Sequence, residues 1–522
     1  KASGAMETKS RPRYAAMNTT VAIVSRMTAI LMGFATRVVF TRILGESYVG
    51  INGLFTVILN MFSLTELGVG TAITYALYGP IAQKDIRKQQ ILMRMYRTFY
   101  HVMAVCVAAI GLLVIPFMDI LMKNRPKIDH LVLIYLLYLA NTVLSYLFVY
   151  KQILIEAHQR NYIVLLYQTF FFVIQDIGQI VILITTRNFI LFLLVYIICT
   201  LTNNVMISRK ADHMFPYLKE SCKETLPEQD RHEIFRDIKA MLMHKIGSVV
   251  INNTDNLIIS SFVGVVSVGI YSNYYLLIGS VRQVLDQIFQ GITASVGNLG
   301  ATEENHHIRN IFELSFFIAQ WIYGFAAICM YELLNPFVEI SFGRNYQFTK
   351  EIVLILCINF FVNGMRKAVL TFHDSMGLFW FDRYKALVET ILNLVASIIL
   401  VRTYGIFGVF FATLISTLLT SVWVEPFVIY RERLRTSPWP FYLQYIIYVG
   451  IMGGVWFLTD CMCSFATGNI WLIFFERLII CVMVPNLLLF LIYFRKKEFR
   501  SLRVRARNIW NRKEQRHGTS VK

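Results

Sequence analysis

Stretches of about twenty mainly apolar residues, the length a helix needs to cross a bilayer, follow one another along nearly the whole chain. They fall at about Ala15 to Phe40, Ser47 to Tyr78, Arg97 to Met122, Leu131 to Tyr150, Tyr162 to Thr185, Phe189 to Ser208, Ile234 to Phe262, Ser267 to Leu299, Ile311 to Met330, Glu351 to Thr371, Ala386 to Val401, Ile406 to Tyr430, Phe441 to Leu458 and Ile470 to Phe494. Hydrocarbon offers backbone amides no water, so such a chain must pair them internally, as a bundle of helices. The expected fold is therefore all-α and polytopic, with about fourteen transmembrane helices. The 56% hydrophobic content exceeds what a soluble domain needs, which removes that class. Lys1 to Ala5 read as a cloning remnant, and no removable signal peptide is expected, since the first apolar run is long and more spans follow it.

An even number of spans leaves both termini on one side. Alternate connections on that side hold roughly 32 Lys and Arg, among them Lys84, Arg87, Arg209, Lys210, Arg431 and Arg433, against roughly 8 on the other. The positive-inside rule then places both ends in the cytoplasm. The net charge of +18 is mostly this topology. The basic tail with Arg500, Arg503, Arg505 and Arg507 suits anionic lipid headgroups better than nucleic acid.

The stretch from Asn18 to Tyr78 returns, altered, as Met241 to Asn298. Gly45, four residues and then Gly50-Ile51 match Gly264, four residues and then Gly269-Ile270, each joining one long apolar segment to the next. At an offset of about 219 residues, Arg26 overlies Lys245 and Glu66 comes within one residue of Asp286. The copies enter from the same side, so the expectation is two pseudo-symmetric six-helix lobes related by an axis along the membrane normal, with a polar binding region between them. The segments read as an N-terminus over 1–14, an N-lobe over 15–208, a cytoplasmic linker over 209–233, a C-lobe over 234–430, two extra helices over 431–494 and a basic tail over 495–522.

Charges inside the repeated spans supply the site candidates. An Arg or Lys in mid-span costs roughly 2.5 to 3.5 kcal/mol to insert unless it faces water, a partner or the bundle interior. On the first span Arg26, Gly33 and Arg37 share one helical face; on the seventh Lys245, Asn252 and Asn256 keep the same spacing, with Asp255 beside them. The second adds Glu66, and the eighth adds Arg282 and Asp286. Arg fits phosphate oxygens bidentately and Lys acts as a point charge, so phosphate is the anion these stripes suit. Arg26, Arg37, Lys245, Arg282, Asn252 and Asn256 are the expected substrate-binding residues. Glu66, Asp255, Asp286 and Glu389 are candidates for gating or for coupling to Na⁺ or H⁺, with Asp176 and Glu425 as further intramembrane acids. The bland alternative is that these charges only pair: Arg282 with Asp286, Arg26 with Glu66, Lys245 with Asp255.

Signals for chemistry are missing. The sequence holds no phosphate-cradling Gly-rich loop ending in Lys and Ser or Thr, no His/Cys metal spacing and no sizeable soluble segment, so neither a catalytic residue, a metal nor a cofactor is assigned. Cys106, Cys199, Cys329, Cys357 and Cys481 lie in apolar runs and read as small hydrophobes; Cys222 stands alone, and Cys461 with Cys463 is a poor metal pair.

Several runs resemble a known family. Gly50-Ile51-Asn52-Gly53-Leu54-Phe55 and Leu64-Thr65-Glu66-Leu67-Gly68-Val69-Gly70 resemble the N-terminal signature of bacterial polysaccharide flippases. The runs Asn253 to Asn256, Gly269 to Tyr274, Gly377 to Lys385 and Trp423 to Pro426 are similar too. The family is the polysaccharide-transporter branch of the multidrug, oligosaccharidyl-lipid and polysaccharide exporter superfamily. The resemblance implies two six-helix lobes, often with two extra helices, that alternate between inward- and outward-facing states. It implies as cargo an undecaprenyl-diphosphate-linked oligosaccharide carried from the inner to the outer leaflet, with membrane lipids and polysaccharide-assembly proteins as partners and no nucleic acid. The family's cationic cavity falls, by position in the repeat, on Arg26, Arg37, Lys245 and Arg282. Two other readings are a membrane-embedded polymerase or glycosyltransferase using the same lipid, and a cation-coupled small-molecule exporter of the same fold.

Overall fold

The computed structural model describes residues 2–62, 69–123, 125–219, 228, 253–302, 305–376, 378, 381–382, 384–496, 499–500 and 503, and every regular element among them is helical. The chain forms two compact units, Lys1–Gly269 and Ile270–Lys522.

The first unit contains α1 (Ala2–Leu44), α2 (Glu46–Met61), α3 (Val69–Ala82), α4 (Ile86–Val114), α5 (Leu131–Tyr146), α6 (Val149–Ala157), α7 (Asn161–Thr186) and α8 (Phe189–Met214). Their ends follow local chemistry. Asp85 caps α4 by accepting from the Lys88 amide at 2.9 Å, and Asn188 caps α8 by accepting from the Ile190 and Leu191 amides. Between α7 and α8, Arg187 turns the chain at a left-handed φ of 53°.

α7 shows how the bilayer inverts the usual amphipathic pattern. Phe170, Ile174, Ile177, Val181 and Ile184 form an exposed apolar face at helical spacing, while Asp176, Gln179 and Leu183 are turned into the unit. That inner face meets α1, where the Thr169 hydroxyl donates to Ser25 at 2.7 Å and Gly33 admits the Phe172 ring. The chain reaches α9 (Val265–Thr302) through a helical stretch at 253–258 and a π turn, Ile259–Val263. Here the two repeated glycines meet. A β-carbon on Gly269 would lie 2.6 Å from the Gly50 nitrogen, and one on Gly50 would strike the Val265 carbonyl. Glycine at both positions is therefore a requirement of close approach.

α9 continues into the second unit, which adds α10 (Asn305–Phe342), α11 (Lys350–Ser375), α12 (Lys385–Leu419), α13 (Ser421–Val428), α14 (Trp439–Cys463) and α15 (Ile470–Tyr493). The expected eleventh and twelfth spans form one helical run that reverses at Gly405, whose φ is 57°. The two arms of α12 pair antiparallel: Asn393 donates to Thr413 at 3.0 Å and Thr417 donates to Glu389 at 3.1 Å. Leu387, Ile391, Leu394, Val395 and Ile399 face outward, and Glu389, Asn393 and Ser397, four residues apart, face inward. Phe312, Phe316, Phe441, Phe372, Tyr430 and Tyr448 join α10, α11 and α14 in one aromatic cluster.

Among the described residues nine helices are long and apolar enough to cross a membrane, and ten if α5 and α6, bent by 43°, are one broken span. The expected second span is divided between α2 and α3, and most of the seventh lies outside the described residues. The all-α, polytopic architecture is the one the sequence predicts.

Candidate functional site

Helix α11 carries charge on two sides of one turn, and the site is built on it. Asn359, Asn363 and Arg366 are spaced four and three residues apart, so they share a face; Lys367 sits about 100° further round. Asn359 donates to the Phe410 carbonyl at 2.9 Å, and Asn363 donates to the Asn359 carbonyl at 2.9 Å. The first of these bonds registers α11 against α12.

The outer layer consists of Arg282 and Asp286 on α9, Tyr323 on α10 and Lys367 on α11. The Tyr323 hydroxyl donates to Asp286 at 2.6 Å, the Lys367 ammonium lies 3.7 Å from the same carboxylate, and the Arg282 guanidinium lies 5.9 Å from the Phe360 ring centre. Tyr323 gets there because Gly364 lets it through: a β-carbon at Gly364 would lie 2.6 Å from that of Tyr323. Arg282 is exposed and the Lys367 side chain is 32% exposed. Charges within a membrane helix are stable where water, a polar ligand or an opposite charge reaches them, and Lys367 has the last in Asp286. This layer sets an exposed Arg282 beside a part-exposed Lys367–Asp286 pair.

The inner layer lies behind it and is buried. The Arg366 guanidinium donates to both oxygens of Glu425 at 2.7 to 2.9 Å, and Glu425 is 0% exposed. Lys385 donates to Glu425 at 2.5 Å and to Asp382 at 2.7 Å. The other end of Arg366 is 3.9 Å from Glu389, which also accepts from Ser421 at 2.7 Å. His373 lies 3.3 Å from Asp382 and 3.3 Å from Asp374. Burial opposes charge on Asp382, in the turn between α11 and α12, but hydrogen bonds from His373 and Lys385 and their positive charge hold its carboxyl down at about 2. In a network of this kind removing one member leaves an uncompensated buried charge, so it fixes α11, α12 and α13 in one arrangement.

The sequence-assigned residues fall as follows. Arg282 and Asp286 are brought together in the outer layer, with Lys367 and Tyr323 as the partners of Asp286; Glu389 belongs to the inner layer. In the first unit Arg26 is exposed on α1, and Arg37 is half-buried with its guanidinium 6.0 Å from the Phe40 ring centre. Asp255 and Asn256 are half-buried in the stretch 253–258. Lys245, Asn252 and Glu66 lie outside the described residues.

Arg366, Lys367 and His373 were not among the candidates, although an Asn-Asn-Arg stripe inside an apolar run was there to be read. Asp382 and Lys385, from one of the family-like runs, meet Glu425 from another, so two separately quoted motifs are halves of one ion network.

No family model matches the chain, and no curated protein sequence matches it. Solved structures do. The chain is similar to a lipid II flippase, MurJ, in an inward closed conformation, with 13% identity over 91% of this chain and 98% of that one and a TM-score of 0.64. It is similar to an inward-facing multidrug-resistance MATE family transporter of the MOP superfamily, with 15% identity over 80% of this chain and 98% of that one and a TM-score of 0.59. A third, a point mutant of the Vibrio cholerae MATE transporter VcmN, gives 14% identity over 81% and 98% at a TM-score of 0.53. The protein thus has the fold of the multi-pass transporters of this superfamily, as its sequence motifs implied. At such identity the shared property is the fold.

Proposed function

We propose that this chain is an alternating-access flippase of the bacterial plasma membrane, both termini cytoplasmic, that carries an undecaprenyl-diphosphate-linked oligosaccharide from the inner to the outer leaflet. The observation that carries the reading is the exposed Arg282 on α9 and the one-third-exposed Lys367 on α11, the latter 3.7 Å from the Asp286 carboxylate. A diphosphate offers that surface the negative charge it lacks, and a guanidinium with an ammonium suits phosphate oxygens. No bond in the cargo changes. Arg26, Arg37, Lys245, Asn252 and Asn256 are further cargo contacts, and Glu66, Asp255, Asp286 and Glu389 are the candidate gating or Na⁺- or H⁺-coupling acids.

Reconstituted protein tests this. Changing both Arg282 and Lys367 to Gln should lower transfer of the lipid-linked oligosaccharide at least tenfold, which corresponds to about 1.4 kcal/mol of lost cargo stabilisation, without changing the melting temperature. Transfer at the wild-type rate removes the assignment. The MATE neighbours support a second reading, a cation-coupled small-molecule exporter. Dye efflux without a lipid carrier would favour it, and lengthened glycan chains would favour a polymerase instead.

A further inference from the structure

By the repeat, residues 253–269 open the second lobe; by packing they lie in the first unit, Lys1–Gly269. The contacts that hold them there are few and specific. Their helical segment stops at Gly264, whose φ is 139°, and the carbonyls of a last helical turn have no following amide to accept from. The Gly264 amide donates to the Ile259 carbonyl at 2.8 Å, so the π turn bypasses the Ser260 carbonyl that an α turn would engage. Lys123 meets these carbonyls from outside. Its amide donates to the Ser260 carbonyl at 3.1 Å and its ammonium to the Phe262 carbonyl at 2.5 Å. In return the Ser260 hydroxyl donates at 2.5 Å to the carbonyl of Leu121, the last residue of the short helical turn Met118–Leu121. Two helix ends thus complete each other, with Met122, Ile259 and Ser260 buried and Lys123 at the surface.

The repeated glycines carry the same seam one turn further. A β-carbon on Gly269 would lie 2.9 Å from the Gly50 Cα, and one on Gly50 would lie 2.8 Å from Cγ1 of Val265. Static packing accounts for the glycines. It does not account for a helix end of the second repeat being capped by a lysine that follows the third span. These residues adjoin the connections after the first, third and seventh expected spans, and connections after odd spans lie on the face opposite the termini. Three hydrogen bonds of modest net worth and one glycine crossing are a hold that a two-state equilibrium can release.

We propose that Lys123, Ser260 and the Gly50–Gly269 crossing form a latch on the outer face. Closed, as here, it holds 253–269 against the first unit; released, it lets the cargo site open outward. The latch rests on the alternating-access reading above.

The test is water access to Val265, which is 2% exposed and packs on Gly50. The purified full-length protein is used with its eight native cysteines replaced by alanine. Labelling of Val265→Cys by a water-soluble maleimide then reads the latch, and labelling of Leu183→Cys, at a position 0% exposed on α7, reads general loosening. Adding Lys123→Met with Ser260→Ala should raise the labelling rate at 265 at least tenfold and leave that at 183 unchanged. An unchanged rate at 265, or a parallel rise at both positions, overturns the latch. A second arm locks it: Lys123→Cys with Ser260→Cys, whose backbones are one hydrogen bond apart, is oxidised to a disulfide. Transfer of the lipid-linked oligosaccharide should stop and return on reduction; transfer at the parent rate in the cross-linked protein overturns the latch. Labelling needs no cargo, so failure of the flippase reading alone shows as a parent without transfer whose labelling response is intact.

Discussion

Among single residues Glu425 matters most to the second unit. It is fully buried between two cations, Arg366 and Lys385, and nothing else in the network accepts from both. Glu425→Gln should destabilise the protein by about 3 to 5 kcal/mol, because it strands positive charge away from water. Thermal denaturation in detergent checks this, and a loss below about 1 kcal/mol would place the network in water and not in the interior. Asp382 gives the pH dependence of the same network. Its folded carboxyl is held at about 2 against the usual value near 3.8, so its contribution is fully present above about pH 4 and is lost as pH falls through about 2. Nearly two pH units of displacement amount to about 2 kcal/mol, which Asp382→Asn should abolish, flattening the acid limb of the stability curve.

At the scale of elements, what places the accessible cations is how closely helices can approach. α10 and α11 come together where Gly364 faces Tyr323, and that contact delivers the Tyr323 hydroxyl to Asp286. Gly364→Ala should push the helices apart, cost about 1 to 3 kcal/mol and withdraw the Tyr323 hydroxyl from Asp286, leaving Lys367 as its partner. Gly453→Ala on α14, where a methyl group meets nothing within 4 Å, should be neutral or slightly stabilising. Equal melting temperatures for the two variants would mean that the α10–α11 contact has room to spare. The inward stripe of α12 follows the same logic in reverse: Glu389, Asn393 and Ser397 turn from lipid because the opposite face is apolar, and the Gly405 reversal then brings Thr413 and Thr417 to them.

At the scale of the whole molecule, the regular alternation of long apolar helices with short connections fixed the class of fold, because a bilayer admits few ways of satisfying a backbone. The all-α polytopic bundle and the likeness in fold to exporters of this superfamily were legible in the chain alone. Helix periodicity says which face a residue occupies; it does not say which residue of another helix it meets. Thus the pairing of Asp286 with Lys367, of Glu425 with both Arg366 and Lys385, and of Glu332 with Arg477 was decided only by tertiary structure. Each joins residues at least 40 positions apart on separate helices, and their partnership is set by crossing points that a few glycines and aromatic rings allow.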